Sequence, residues 1–150
     1  MHSSLKFVIV TIIAITLFAL SFDIASIRQL KKDVKDSLDL STKAAALQID
    51  EESTKIGEGI FEIDTTKGKT VNEEIFKENM REKLSDYTIE TEIINVHMPY
   101  IFTDSKGNEY SINEPTVFSS VTFTYSGVFI KQDFIVNILS GSTLVNKNEL

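Results

Sequence analysis

The chain contains no cysteine, which excludes disulfides, thiolate nucleophiles and cysteine-ligated metals and leaves any fold to stand on its core alone. Histidine is nearly as scarce. His2 lies beside the start and His97 stands by itself in a strand-like stretch, so no histidine pair can hold a metal and no Ser-His-Asp set is visible. Chain breakers are few, with two prolines and six glycines, and neither type occurs in residues 23–52. Positive charge is short in the larger part of the chain: from Asp33 onward 11 Lys and Arg face 21 Asp and Glu, a net of −10. Nucleic acid requires clustered cations, so no nucleic-acid partner is expected, and the acidity reads as a solvated, self-repelling surface.

What the chain does have is a run of sixteen residues, 7–22, without a charge. As a helix this run spans roughly 24 Å, and Leu5 with a snorkelling Lys6 brings it near the ~30 Å hydrocarbon thickness of a bilayer. Phe7, Ile12, Ile15, Phe18 and Phe22 are its candidate membrane-anchoring residues. The rival reading is a secretory signal peptide with a small-x-small cleavage site at Ala19-Leu20-Ser21, which would release a secreted binding module. Against cleavage, apolar residues recur at Ile24, Ile27, Leu30, Val34, Leu38, Ala45 and Ile49, mostly three or four apart, which is one face of a helix continuing in phase. Retention is therefore expected, with a transmembrane anchor over residues 1–27, a stalk helix over 28–52 and a head over 53–150. Small residues in the run (Thr11, Ala14, Thr16, Ala19 and Ser21) would permit close approach of a second helix. Arg28, Lys31, Lys32 and Lys35 follow the run, while Lys6 and the amino terminus precede it; taken literally, the positive-inside rule points the head into the cytoplasm.

In the head, Thr70-Val71-Asn72-Glu73 has the form of a capping box and predicts a helix to about Leu84, burying Val71, Ile75, Phe76, Met80 and Leu84. A short strand is expected at 60–63. Alternation then predicts a strand over 87–98 with a phase slip at Ile93-Ile94 suiting a bulge, and a hairpin of 100–103 and 109–112 about the Asp104-to-Asn108 turn. Val117, Ser119, Val121, Phe123 and Tyr125 alternate on one strand, and Ser126-Gly127 turns it into another over 128–139, with a frayed tail from Ser140. The expected class is α+β: an amino-terminal transmembrane helix continuing into a long stalk, then a small head of one helix on an antiparallel sheet of about four strands. Phe118, Phe129 and Phe134 read as core, the alternative being an exposed assembly patch.

No reaction is expected. Asp50-Glu51-Glu52 and Glu73-Glu74 are adjacent carboxylates that point different ways and are usually solvated, Gly57-Glu58-Gly59 lacks the Lys-Ser/Thr of a phosphate loop, and residues 104–114 lack the alternation of a calcium loop. Catalytic, metal and cofactor sites are accordingly not assigned.

An apolar segment ending in Asp23, then Ile24-Ala25, Arg28 and Leu30, then Leu38-Asp39 followed by Ala44-Ala45-Ala46-Leu47, resembles the TadE/TadG-like proteins of tight-adherence (Flp-type) pilus systems. The family-like motif residues are Asp23, Arg28, Leu38, Asp39, Ala44, Ala45 and Ala46. Lys43 stands where the family often has Asp, and no Gly before the run or Glu five residues into it provides a prepilin-peptidase signature. The resemblance implies a non-enzymatic, single-pass accessory or minor subunit of a surface pilus or secretion apparatus. It also implies a head outside the cell membrane, and partners among the lipid bilayer, other pilus subunits and further copies of the chain.

Overall fold

With no breaker in its sequence, α1 (His2–Ala46) runs as one 45-residue helix, about 68 Å from end to end. The computed structural model describes residues 2–52, 61–95, 99–104, 107–129 and 131–144. Gly57, Gly59, Ile60, His97, Met98 and the tail from residue 145 lie outside the described residues. After α1 come α2 (Thr65–Met80), β1 (Tyr87–Ile94), β2 (Tyr100–Thr103), β3 (Glu109–Ile112), β4 (Thr116–Ser126) and β5 (Asp133–Thr143). The class is α+β, as expected. Its strands divide into a three-stranded antiparallel sheet in the order β1-β4-β5 and a separate β2-β3 hairpin.

After α1, Ile49 and Ile63 form an antiparallel bridge, which among the described residues is what becomes of the expected strand at 60–63. Helix α2 then starts five residues before Thr70. Its N-cap is Asp64, whose Oδ1 accepts the N–H groups of Thr66 at 3.0 Å and Lys67 at 2.9 Å. Thr70 instead bonds back to the Thr66 carbonyl as an interior residue. The sequence signal was obscured by Gly68, a poor helix former that the packing requires. A Cβ there would stand 3.4 Å from the Ala45 carbonyl oxygen and 2.7 Å from Ile93 Cδ1. The alanine segment of α1 is thus a close-packing face for α2, whose buried positions are Gly68, Asn72, Phe76 and Met80. Val71, Ile75 and Leu84 are half-buried, and the helix closes at Met80.

Strand β1 pairs with β4 without interruption from Tyr87 to Ile94, so no bulge forms at Ile93-Ile94. The phase slip has another cause. At this end both faces of the sheet are covered: Ile93 packs beneath the helices, while Ile94, with Ile112 and Phe118, is buried under the β2-β3 hairpin. Phe118 stacks on Phe102 at 4.3 Å between ring centres, and Gly141 on β5 leaves room for it. Strand β5 runs over 133–143, later than the expected 128–139, because the connection from β4 is longer than a two-residue turn.

Two apolar clusters lie between helices and sheet. Val34, Leu38, Phe76, Met80, Val121, Phe123 and Val136 form the larger, and Ala45, Ala46, Ile63 and Val117 the smaller. A polar row crosses the sheet between them, since Thr91, Ser119 and Ser140 are direct cross-strand neighbours. Asn72 of α2 donates to Thr91 Oγ1 at 2.7 Å and Ser119 Oγ at 2.9 Å, and Thr42 of α1 meets the Ser140 and Ser142 hydroxyls at 3.2 and 3.0 Å. A slip of any strand would separate these partners, so the row ties register to helix position.

The inner face of α1 beyond Asp23 is therefore part of the head's core, and residues 28–46 do not stand off from it as a stalk. Leu38→Ala is expected to cost about 2–5 kcal/mol in urea-unfolding stability, and Leu40→Ala, two residues on and facing solvent, less than about 0.5 kcal/mol.

Candidate functional site

The first half of α1 is bare. Residues 4–22 are exposed all round except for half-buried Ala19, and the anchor residues Phe7, Ile12, Ile15, Phe18 and Phe22 are among them, Phe7 being 73% and Phe22 44% exposed. Among the described residues this is the one helix long and apolar enough to cross a membrane. The hydroxyls within the charge-free run do not need water: Thr11, Thr16 and Ser21 donate to the carbonyls of Phe7, Ile12 and Leu17 at 2.8–2.9 Å. A polar group satisfied within its own helix can enter hydrocarbon at low cost.

The helix changes character at Asp23, which is buried although it directly follows the apolar run. The burial comes from the far end of the sequence. In the connection between β4 and β5, the Val128 N–H donates to Asp23 Oδ1 at 2.8 Å, and the Phe129 N–H is shared between Oδ1 and Oδ2 at 3.2 Å each. Tyr125 Oη also reaches the Asp23 carbonyl at 3.4 Å. Charge-assisted bonds of this kind are about twice as strong as neutral ones. They explain why 128 and 129 are not strand residues: their amides are engaged by the helix. Phe129 then lies edge-on to Phe22 and Phe18, with ring centres 5.4 and 6.5 Å apart. One carboxylate and one aromatic ring thus clamp the tip of the sheet to the exit of the apolar helix. Ser126 and Asp133 close the neck of the loop with a side-chain hydrogen bond.

The other motif residues serve different ends. Arg28 is exposed on the outer face of α1, Leu38 is in the larger core cluster, Ala45 and Ala46 face α2 and the end of the sheet, and Ala44 is half-buried. Asp39 accepts from Lys35 at 2.7 Å and from the Ser140 hydroxyl, joining α1 to β5. Burial alone would raise its pKa, but the Lys35 and Ser140 hydrogen bonds outweigh it and hold the carboxyl below its ordinary value. Asp33 is lowered mainly by its hydrogen bond from Lys83, at 2.7 Å across to the end of α2, and Asp64 mainly by the Lys67 N–H it caps.

Sequence reasoning picked out Asp23 but none of its partners. No local pattern could have done so, since Val128 and Phe129 lie 105 and 106 residues away. Phe129 and Phe134, expected in the core, are instead 53% and 44% exposed beside the helix exit, because the loop that carries Phe129 and the base of β5 reach past the end of the packed sheet. Phe76, Phe118 and Phe123 are the buried phenylalanines among the described residues. A groove of about 540 Å³ between the β2-β3 hairpin and β5 is lined by Lys35, Tyr110, Glu114 and Ser140, and no group of three acidic or histidine side chains among the described residues is placed to hold a metal ion. No family model matches the chain, and neither a curated protein nor a solved structure matches it.

Replacing Asp23 by Ala is expected to speed hydrogen exchange at the Val128 and Phe129 amides by tenfold or more, equivalent to about 1.4 kcal/mol of local opening, while amides of β1 and the core of β4 change little. Because Asp33, Asp39 and Asp64 all titrate below their unfolded value of about 3.9, their stabilisation is present above that pH and lost as pH falls through the lower folded values. Unfolding midpoints should accordingly be flat between about pH 5 and 7 and decline below about pH 4; Asp39→Asn should shallow that decline.

Proposed function

We propose that the chain is a single-pass membrane protein that acts without catalysis, as an accessory or minor subunit of a tight-adherence-type surface pilus or secretion apparatus, with its head outside the membrane. The observation that carries this reading is α1 itself: one helix that is apolar and uncovered on every side for residues 4–17, met by Phe129 at Phe18 and Phe22, and one-sidedly packed from Asp23 onward. Such a surface needs lipid or neighbouring helices around it. The resemblance supplies the apparatus, and the motif aspartate stands where the helix meets the head, which supports its importance to subunits of this kind. Contacts with partner subunits are made along the apolar helix and by the exposed faces of the head.

A second reading, a secreted binding module, is favoured by the Ala19-Leu20-Ser21 sequence alone. Cleavage there would remove Phe18 from its contact with Phe129. Amino-terminal sequencing of the mature protein separates the two, since retention leaves the apolar run of residues 7–22 in the mature chain and cleavage leaves Phe22 at the front.

The absence of cysteine makes each introduced one unique. Glu109→Cys, exposed on β3, is expected to react with a membrane-impermeant maleimide in intact cells; labelling only after lysis would place the head inside and defeat the proposal. A photo-crosslinker at Ile12 in the native membrane should yield adducts with a pilin or with a membrane subunit of the assembly platform. Adducts with lipid alone would remove the apparatus from the reading while leaving the anchor.

A further inference from the structure

Resting on the anchored reading, we infer that the β4-β5 loop is a second membrane contact, seated in the lipid interface alongside the helix. Phe22 is the last residue of the apolar run, and Phe18 lies four residues, or about 6 Å, deeper along the axis. Phe129 touches both. Wherever that run lies in hydrocarbon, the loop tip stands at its boundary.

The surface of the loop has the composition such a position requires. Val128, Phe129 and Phe134 are large, apolar and exposed; Phe129 lies against Phe18 and Phe22, and Phe134 shares a groove with Leu20 and Ile24 of the helix. Between helix and loop runs a groove of about 280 Å³, lined almost wholly by apolar atoms from Leu20, Ile24, Ile27, Tyr125 and Phe134. In water this patch would be a liability; beside a bilayer it is continuous with the surface that lipid already covers. Lys131 and Gln132, farther along the loop, are exposed, a placement from which a long side chain reaches the headgroups.

Backbone polarity is the usual obstacle to putting a loop at this depth, because an N–H without a partner is costly away from water. Here the Asp23 carboxylate accepts the Val128 and Phe129 amides. The clamp therefore removes the N–H share of that penalty from the two residues carrying the tip's apolar side chains. The occupant of the patch is thus the phospholipid interface, reached laterally from the anchor.

The chain has no tryptophan, so Phe129→Trp provides a single reporter, with Val128→Trp as a second should the first disturb the clamp. The full chain is reconstituted in phosphatidylcholine/phosphatidylglycerol vesicles containing lipids with a spin label either high or low on the acyl chain. Expected is quenching of the Phe129→Trp fluorescence by the shallow label at least twofold stronger than by the deep label, and at least twofold stronger than for a Tyr100→Trp control on the head. Ile12→Trp reports the anchor separately, with the deep label quenching it more. If Ile12→Trp is quenched by lipid while both loop reporters are quenched only by aqueous iodide, the loop faces water and this inference falls with the anchor intact. If the loop reporters are reached by neither quencher, a protein surface covers them and the lipid assignment falls likewise. If Ile12→Trp escapes lipid quenching, the anchored reading itself fails and takes this one with it.

Discussion

A helix that leaves an apolar phase for water must change from apolar all round to apolar on one side, and here the change occupies about one turn, around Asp23. Up to Leu17, side chains on every face are uncovered; after Asp23, Ile27, Leu30, Val34 and Leu38 pack on the sheet while Arg28, Lys31 and Lys32 face out. The carboxylate at the change-over is held by backbone amides of the β4-β5 loop, which fixes the height at which the sheet meets the helix. From that point the polar row of Thr42, Asn72, Thr91, Ser119 and Ser140 repeats the constraint farther up, tying both helices to the same level of the sheet. Between clamp and row lies the larger apolar cluster, and beyond the row the smaller one.

This arrangement explains a head without disulfides. Its interior mixes a few large side chains, Phe76, Leu38, Met80 and Ile63, with small ones that let backbones approach, Ala45, Gly68, Ser41 and Ser119. Close approach increases dispersion contacts and brings hydroxyls within bonding distance, so polar groups buried in the core are largely satisfied by one another. The Ser37 hydroxyl and the Asn72 carbonyl oxygen are the buried side-chain atoms that find no partner among the described residues.

Much of this was legible in the sequence because it depends on local periodicity. The absence of breakers and the in-phase apolar positions set α1 from the apolar run to the alanine segment, alternation located β4, and the turn residues 104–108 located the β2-β3 hairpin. What could not be read is set by distant partners. Thr70-to-Glu73 satisfied the form of a capping box, yet Asp64 caps the helix because Gly68 is needed against Ala45. Ile93-Ile94 broke the alternation because a hairpin covers the second face of the sheet, and 128–129 left the strand because Asp23 engages their amides. The candidate site was half visible: its aspartate stood out by position, while its aromatic partner lay over a hundred residues on, in a stretch that alternation alone assigned to a strand.

A helix with no hinge has a single axis. Because α1 contains neither Pro nor Gly and is packed on the sheet along its second half, the head has no freedom to pivot about the exit of the apolar segment. It behaves as the arm of a lever. A tilt of about 10° in the apolar half displaces the far end of α1, some 35 Å beyond Asp23, by about 6 Å, and the sheet moves with it. Bilayer thickness and the pull of neighbouring helices set the tilt of such segments. On the anchored reading, the orientation of the head is thus governed from within the apolar phase, with no moving part between the two.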